Sequence, residues 1–125
     1  FFDTNWYGPA IRGLMHKDAD AEDSFRLTEM IVSYASRPHD RPYFLWAHYM
    51  DPHAPYTPPE GYYAPADRIC RNKFNQFNRG RRLANLRLYL GECRYLDDLM
   101  GQILPYLISD RRTIVIITGD HGEEF

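Results

Sequence analysis

The sequence predicts an α/β fold with a mostly parallel central sheet, and three observations predict it. Thr113-Ile-Val-Ile-Ile-Thr118 is an unbroken β-branched run with no polar alternation, which suits a strand covered on both faces. Tyr43-Phe-Leu-Trp-Ala-His-Tyr49 is aromatic, strand-prone and apolar on both faces as far as His48. Between them, from about Phe77 to Ser109, apolar residues recur at helical spacing over a length that can serve as a crossover. Two interior strands joined by a crossover helix form a right-handed βαβ unit, so their carboxyl ends share one edge of the sheet. In open α/β sheets that edge is where ligands bind.

Taken in order, residues 1–22 mix Trp6, Tyr7, Gly8, Pro9 and Gly13 with charges and no period, and read as irregular. Residues 23–125 carry the expected helix-strand-loop-helix-strand core of one domain. From Asp23 or Ser24 to about Ser36, Phe25, Leu27, Met30, Ile31, Tyr34 and Ala35 define a helix with one buried face, which Pro38 ends. After the first strand, Pro52, Pro55, Pro58 and Pro59 exclude helix and cannot donate to a sheet ladder. The result is a stiff loop that holds Asp51 and His53 in place with little further ordering on binding. Residues 60–75 are irregular and mixed in charge.

The second helix is expected to bury Leu83, Leu86, Leu90, Cys93, Leu96 or Leu99, Met100, Ile103 and Leu107. Gly91 and Gly101 each cost about 1 kcal/mol against Ala inside a helix, which points to close approach of a neighbouring element. Pro105 kinks the last turn or starts a new one. Arg79, Arg81, Arg82, Arg87 and Arg94 form a basic face, but Glu92, Asp97 and Asp98 interrupt it, and it reads as a solvated face rather than a nucleic-acid surface.

Composition sets wider bounds. The 125 residues are 44% hydrophobic and 26% charged, ordinary globular proportions for about one domain. A formal net charge of −2 gives no reason to expect a nucleic-acid partner or an anionic membrane. No run approaches the roughly 18 apolar residues of a membrane-spanning helix. Cys70 and Cys93 match no metal spacing and no disulfide framework, and read as unpaired thiols, Cys93 on an apolar helical stripe. The chain opens on Phe1-Phe2 with no initiator Met and stops at Phe125 shortly after the second strand, so an internal piece of a larger protein is expected, with no compartment assigned.

The chemistry-bearing residues cluster at the two strand ends. Asp120 and His121 stand between Gly119 and Gly122, where a turn can point both side chains into one cavity. A carboxylate with a neutral imidazole suits several divalent cations: the oxygen admits Ca²⁺ or Mg²⁺ and the nitrogen Mn²⁺ or Zn²⁺. Two ligands leave such a site open, and others must come from elsewhere. His53 suits a different task, binding an anionic substrate oxygen or protonating a leaving group. Asp51 and His48 flank it on the substrate side. Each has a structural alternative: Asp120 as the cap of a turn, His53 as a loop residue packed on tyrosines, His48 as a hydrogen-bonded core histidine. Glu123 and Glu124 either orient His121 or charge the start of a following helix.

Phe44-Leu-Trp-Ala-His-Tyr-Met-Asp-Pro-His-Ala-Pro-Tyr56, then Tyr95-Leu-Asp-Asp-Leu-Met-Gly101, then Thr113-Ile-Val-Ile-Ile-Thr-Gly-Asp-His-Gly-Glu123 together resemble the sulfatase family of the alkaline phosphatase superfamily. The likeness runs from about residue 24 to the end, and the order and separation of the motifs make it specific. It implies an alkaline-phosphatase-like α/β sandwich and the hydrolysis of small-molecule or carbohydrate sulfate esters. It also implies a divalent metal ion, usually Ca²⁺, with Asp120 and His121 among its ligands, although many relatives carry Asn where His121 stands. His53, in a His-x-Pro pattern, is implied to contact the sulfate or the leaving-group oxygen.

The nucleophile of such proteins is a formylglycine made from Cys or Ser in a Cys/Ser-x-Pro-x-Arg motif, and no such motif occurs here. It is expected upstream, with a further pair of metal-binding Asp residues, so the chain by itself is expected to be inactive. The rival readings are a phosphodiesterase, phosphonate hydrolase or phosphotransferase of the same superfamily, and a noncatalytic α/β domain.

Overall fold

The computed structural model describes residues 21–65 and 79–125. Expectations that fall on residues 1–20 and 66–78, the irregular opening and Cys70 among them, lie outside the described residues. Two helices form the framework: α1, Ala21–Ala35, and α2, Arg79–Leu107. They pack against each other.

In α1, Ala, Glu, Leu and Met favour the helix. It stops where Pro38 disfavours helical backbone at Arg37. Its last carbonyls are taken by Ser36 N–H on Val32, at 2.9 Å, and by His39 Nε2–H on Tyr34, at 3.0 Å. In α2, Pro105 is accommodated within the last turn, and the backbone bond from Ile108 to Leu104 carries the coil one residue further.

Both helices bury a face that only partly matches the one expected: Ile31, Leu99 and Ile103 are buried as expected, but several marked positions are not. In α1 the buried positions are Ser24, Thr28 and Ile31, while Phe25 and Met30 are exposed. In α2 they are Ala84, Leu88, Gly91, Glu92, Leu99 and Ile103, while Leu83 and Leu90 are exposed. Hydrogen bonds rotate α1: the Ser24 hydroxyl donates to Asp51 at 2.6 Å, and the Thr28 hydroxyl, itself donating to the Ser24 carbonyl, accepts from the Tyr49 hydroxyl at 2.9 Å. A backbone contact sets the phase of α2. A Cβ on Gly91 would stand 2.5 Å from the Tyr62 carbonyl oxygen and 3.0 Å from Pro58, so only glycine lets the helix meet residues 58–62. Gly101, by contrast, has open space around it.

The expected α/β architecture is not observed. Among the described residues there are two helices and no strand, which overturns both the mostly parallel central sheet and the alkaline-phosphatase-like sandwich. Residues 43–49 and 113–118 lie without ladder pairing. Most of their side chains face outward, Phe44 at 77% and Ile114 at 87% exposure, while Tyr49, Thr113 and Val115 are half-buried. Aromatic and β-branched content states a preference for extended backbone, whereas a strand also needs a neighbour that takes its N–H and C=O groups. A run apolar on both faces further needs cover on both sides, and the described helices provide one layer. No described helix is long and apolar enough to cross a membrane.

Candidate functional site

The proline loop is held from two sides. Asp51, at its start, is buried with Oδ2 accepting from Ser24 of α1. Its Asp51–Pro52 and Ala54–Pro55 peptides are cis. Further along, the Thr57 N–H donates to Glu92 Oε1 of α2, Pro58 lies against Gly91, and the Tyr62 hydroxyl donates to Asp98 Oδ2 at 2.6 Å. Glu92 is 1% exposed, so what reads as one of several surface charges is a buried carboxylate that accepts from loop backbone. Between these anchors His53 projects into solvent. Its Nδ1 lies 2.6 Å from the Ala54 carbonyl, and since a carbonyl only accepts, Nδ1 carries the hydrogen and the neutral ring presents Nε2 outward.

The Asp120–His121 turn has the same local form. Asp120 Oδ1 accepts from the His121 N–H at 3.0 Å, and His121 Nδ1–H donates to the Gly122 carbonyl at 2.7 Å. The neutral His121 ring therefore presents Nε2, which stands 3.8 Å from Asp120 Oδ2. Both side chains are exposed. Its own backbone N–H, then the His121 ring and more weakly His48, hold the Asp120 carboxyl below the usual carboxylate range. The Gly122 carbonyl, then Asp120, raise the His121 imidazole above its ordinary value, so a cation there competes with a proton.

The two segments meet. His48 is exposed, not a core residue, and close enough for its charge to act on Asp120. Tyr56, Tyr89 of α2 and Phe125 form a ring triangle, with Tyr56 5.8 Å from each of the others and Tyr89 5.2 Å from Phe125. Burial, then the nearby Glu123 carboxylate, push the Tyr56 ionisation far up, so its hydroxyl stays protonated. Glu123 thus lies near Tyr56, a placement neither sequence expectation gave it. Cys93, one turn beyond Tyr89 in α2, is a free thiol that is half-buried.

As a donor set, one ionised carboxylate beside one outward-facing imidazole nitrogen fits a divalent cation in chemistry, though as a pair only. Among the described residues no three of His, Cys, Asp or Glu converge where they could hold a metal. The hydrogen bonds found for the His53 and His121 rings go to the next carbonyl in the chain, so loop and turn meet through Tyr56 and Phe125.

The sequence profile of the sulfatase family matches residues 2–125. The chain belongs to the sulfatase family. No curated protein and no solved structure matches it significantly. Sulfatase membership makes it a member of a hydrolase family that acts on sulfate esters.

Within this sulfatase chain, Ser24, Gly91 and Glu92 lie outside the quoted motifs, and Tyr56 closes one without having been given a role. Two of them left a trace. Gly91 is a costly residue in mid-helix, and Glu92 falls four residues after Leu88 and seven before Leu99, in the register of the buried stripe.

Proposed function

We propose that the chain contributes the substrate-side and part of the metal-side machinery of a sulfate ester hydrolase, with Asp120 and His121 as ligands of a divalent metal ion, Ca²⁺ foremost. The observation that supports this reading is the contact between the two segments, Phe125 after the turn packing on Tyr56 of the loop and Tyr89 of α2. On this proposal the loop and the turn, distant in sequence, serve one site.

The metal would supply positive charge toward the non-bridging sulfate oxygens. The chain's own residues do the rest. Asp120 offers an ionised oxygen, and the Gly122 carbonyl orients the His121 ring so that Nε2 is the donor atom. His53 sits with Nε2 outward on a loop that does not have to order on binding, where it can hold a sulfate oxygen or pass a proton to the leaving alkoxide. His48 adds a second imidazole on the same side, and Asp51, held by Ser24, fixes where the loop begins. No Cys or Ser stands in a Cys/Ser-x-Pro-x-Arg pattern, so we place the nucleophile, a formylglycine, outside these residues.

The test is Asp120→Ala in the intact protein, which is expected to lose bound metal and turnover together; full metal content in elemental analysis of that variant would overturn the assignment. His53→Ala should cost on the order of 10²-fold in rate or more, most for poor leaving groups. A loss independent of the leaving group would remove its acid role.

A further inference from the structure

We infer that Tyr56 is a positioning residue: through its ring on Phe125, it holds the Asp120–His121 turn at a set distance from the loop that carries His53. The inference rests on the reading of Asp120 and His121 as metal ligands, and adds to it the means by which the two halves of the site are kept in register.

Three observations carry it. Tyr56 is buried, and it sits on a part of the loop that cannot drift. The next residue, Thr57, is tied through its N–H to the buried Glu92 carboxylate, and Pro58 rests on Gly91. The turn, in contrast, has no such ties of its own among the described residues. The side-chain hydrogen bonds of Thr118, Asp120 and His121 stay within residues 118–122, and the apolar side chains of Ile114, Ile116 and Ile117 are exposed. Among the described residues, what joins the segment to the framework lies just after the turn, Phe125 on the Tyr56 and Tyr89 rings. Phe125 is four residues from His121, so a displacement of its ring reaches the ligand pair through a short stretch of chain.

The ring contact can be removed from either end. Tyr56→Leu takes the ring away from Phe125. Hydrogen–deuterium exchange of the intact variant should show the amides of residues 119–124 opening about tenfold faster, with those of α1 and α2 unchanged. Calorimetric titration with CaCl₂ should show about tenfold weaker binding, the lower end of what loss of a ligand-orienting partner costs. Phe125→Leu should match it, and Tyr56→Phe, which keeps the ring, should retain most of the wild-type protection. If Tyr56→Leu does not fold, the contrast between Phe125→Leu and Tyr56→Phe decides alone. Exchange at 119–124 unchanged in both Tyr56→Leu and Phe125→Leu would overturn the inference, with the metal reading intact if wild type still takes up Ca²⁺. A wild-type protein that takes up no Ca²⁺ but loosens on Tyr56→Leu would sink the metal assignment and leave the positioning role standing.

Discussion

Residues 51–59 and residues 113–125 are both irregular, both lie near α2, and each carries one of the histidines with which chemistry is proposed. They differ in how they are held. The first contains few aliphatic side chains, yet Asp51, Tyr56 and Pro58 are buried, and polar bonds reach it from both helices. The second opens with the most hydrophobic run of the chain, yet Ile114 and Ile116 are more than four-fifths exposed and the ring contacts that reach it lie beyond that run, at Phe125. Here hydrophobicity does not decide which segment is ordered against the framework. Partners do: a buried carboxylate with a hydroxyl to meet it contributes where an apolar run without a facing layer cannot.

That contrast can be broken at its strong side first. Ser24→Ala leaves the Asp51 carboxylate buried without the hydroxyl, and should lower the unfolding free energy of the intact protein by about 2 kcal/mol in urea titration, within the range for hydrogen bonds to charged groups. A loss under about 0.5 kcal/mol would mean that the loop is not anchored at α1. Gly91→Ala sets two effects against each other. Helix propensity gains about 1 kcal/mol, while forcing a methyl group against the Tyr62 carbonyl and Pro58 costs about 1–3 kcal/mol, so net destabilisation of about 1 kcal/mol is expected. A stabilised variant would show that helix and loop can separate freely. At the weak side, Ile116→Thr should change stability by less than about 0.5 kcal/mol, because the side chain removed is 82% exposed. A loss above 2 kcal/mol would show that residue 116 is covered in the intact protein and would erase the contrast.

Legibility in the sequence follows the same division. Both helices could be read from apolar spacing and from Pro38, since helix formation depends on contacts within the segment. Their phase could not, because Phe25 and Leu83 are as apolar as Ile31 and Leu88, and only the Ser24–Asp51 bond and the Gly91 contact choose between neighbouring faces. The sheet was predicted from Tyr43–Tyr49 and Thr113–Thr118, whose composition describes one strand at a time; pairing is a relation between two backbones, and composition does not record it. Gly91 was legible as a close approach, though not what approaches. Asp120, His121 and His53 stand out through residue type and flanking Gly and Pro. Tyr56 does not, because a tyrosine in an irregular loop belongs to no period that would mark it as buried.

Gly91 has no functional group, yet it sets a tolerance for groups that do. Where it meets the Tyr62 carbonyl, helix and loop are separated by the contact distance of two main chains, the smallest spacing folded polypeptide allows. The Tyr56 ring has a fixed reach, and aromatic rings pair only with centroids within about 7 Å of each other. A single carbon added at residue 91 is therefore felt at Phe125, thirty-four positions away in sequence, as a bridge that no longer spans its gap.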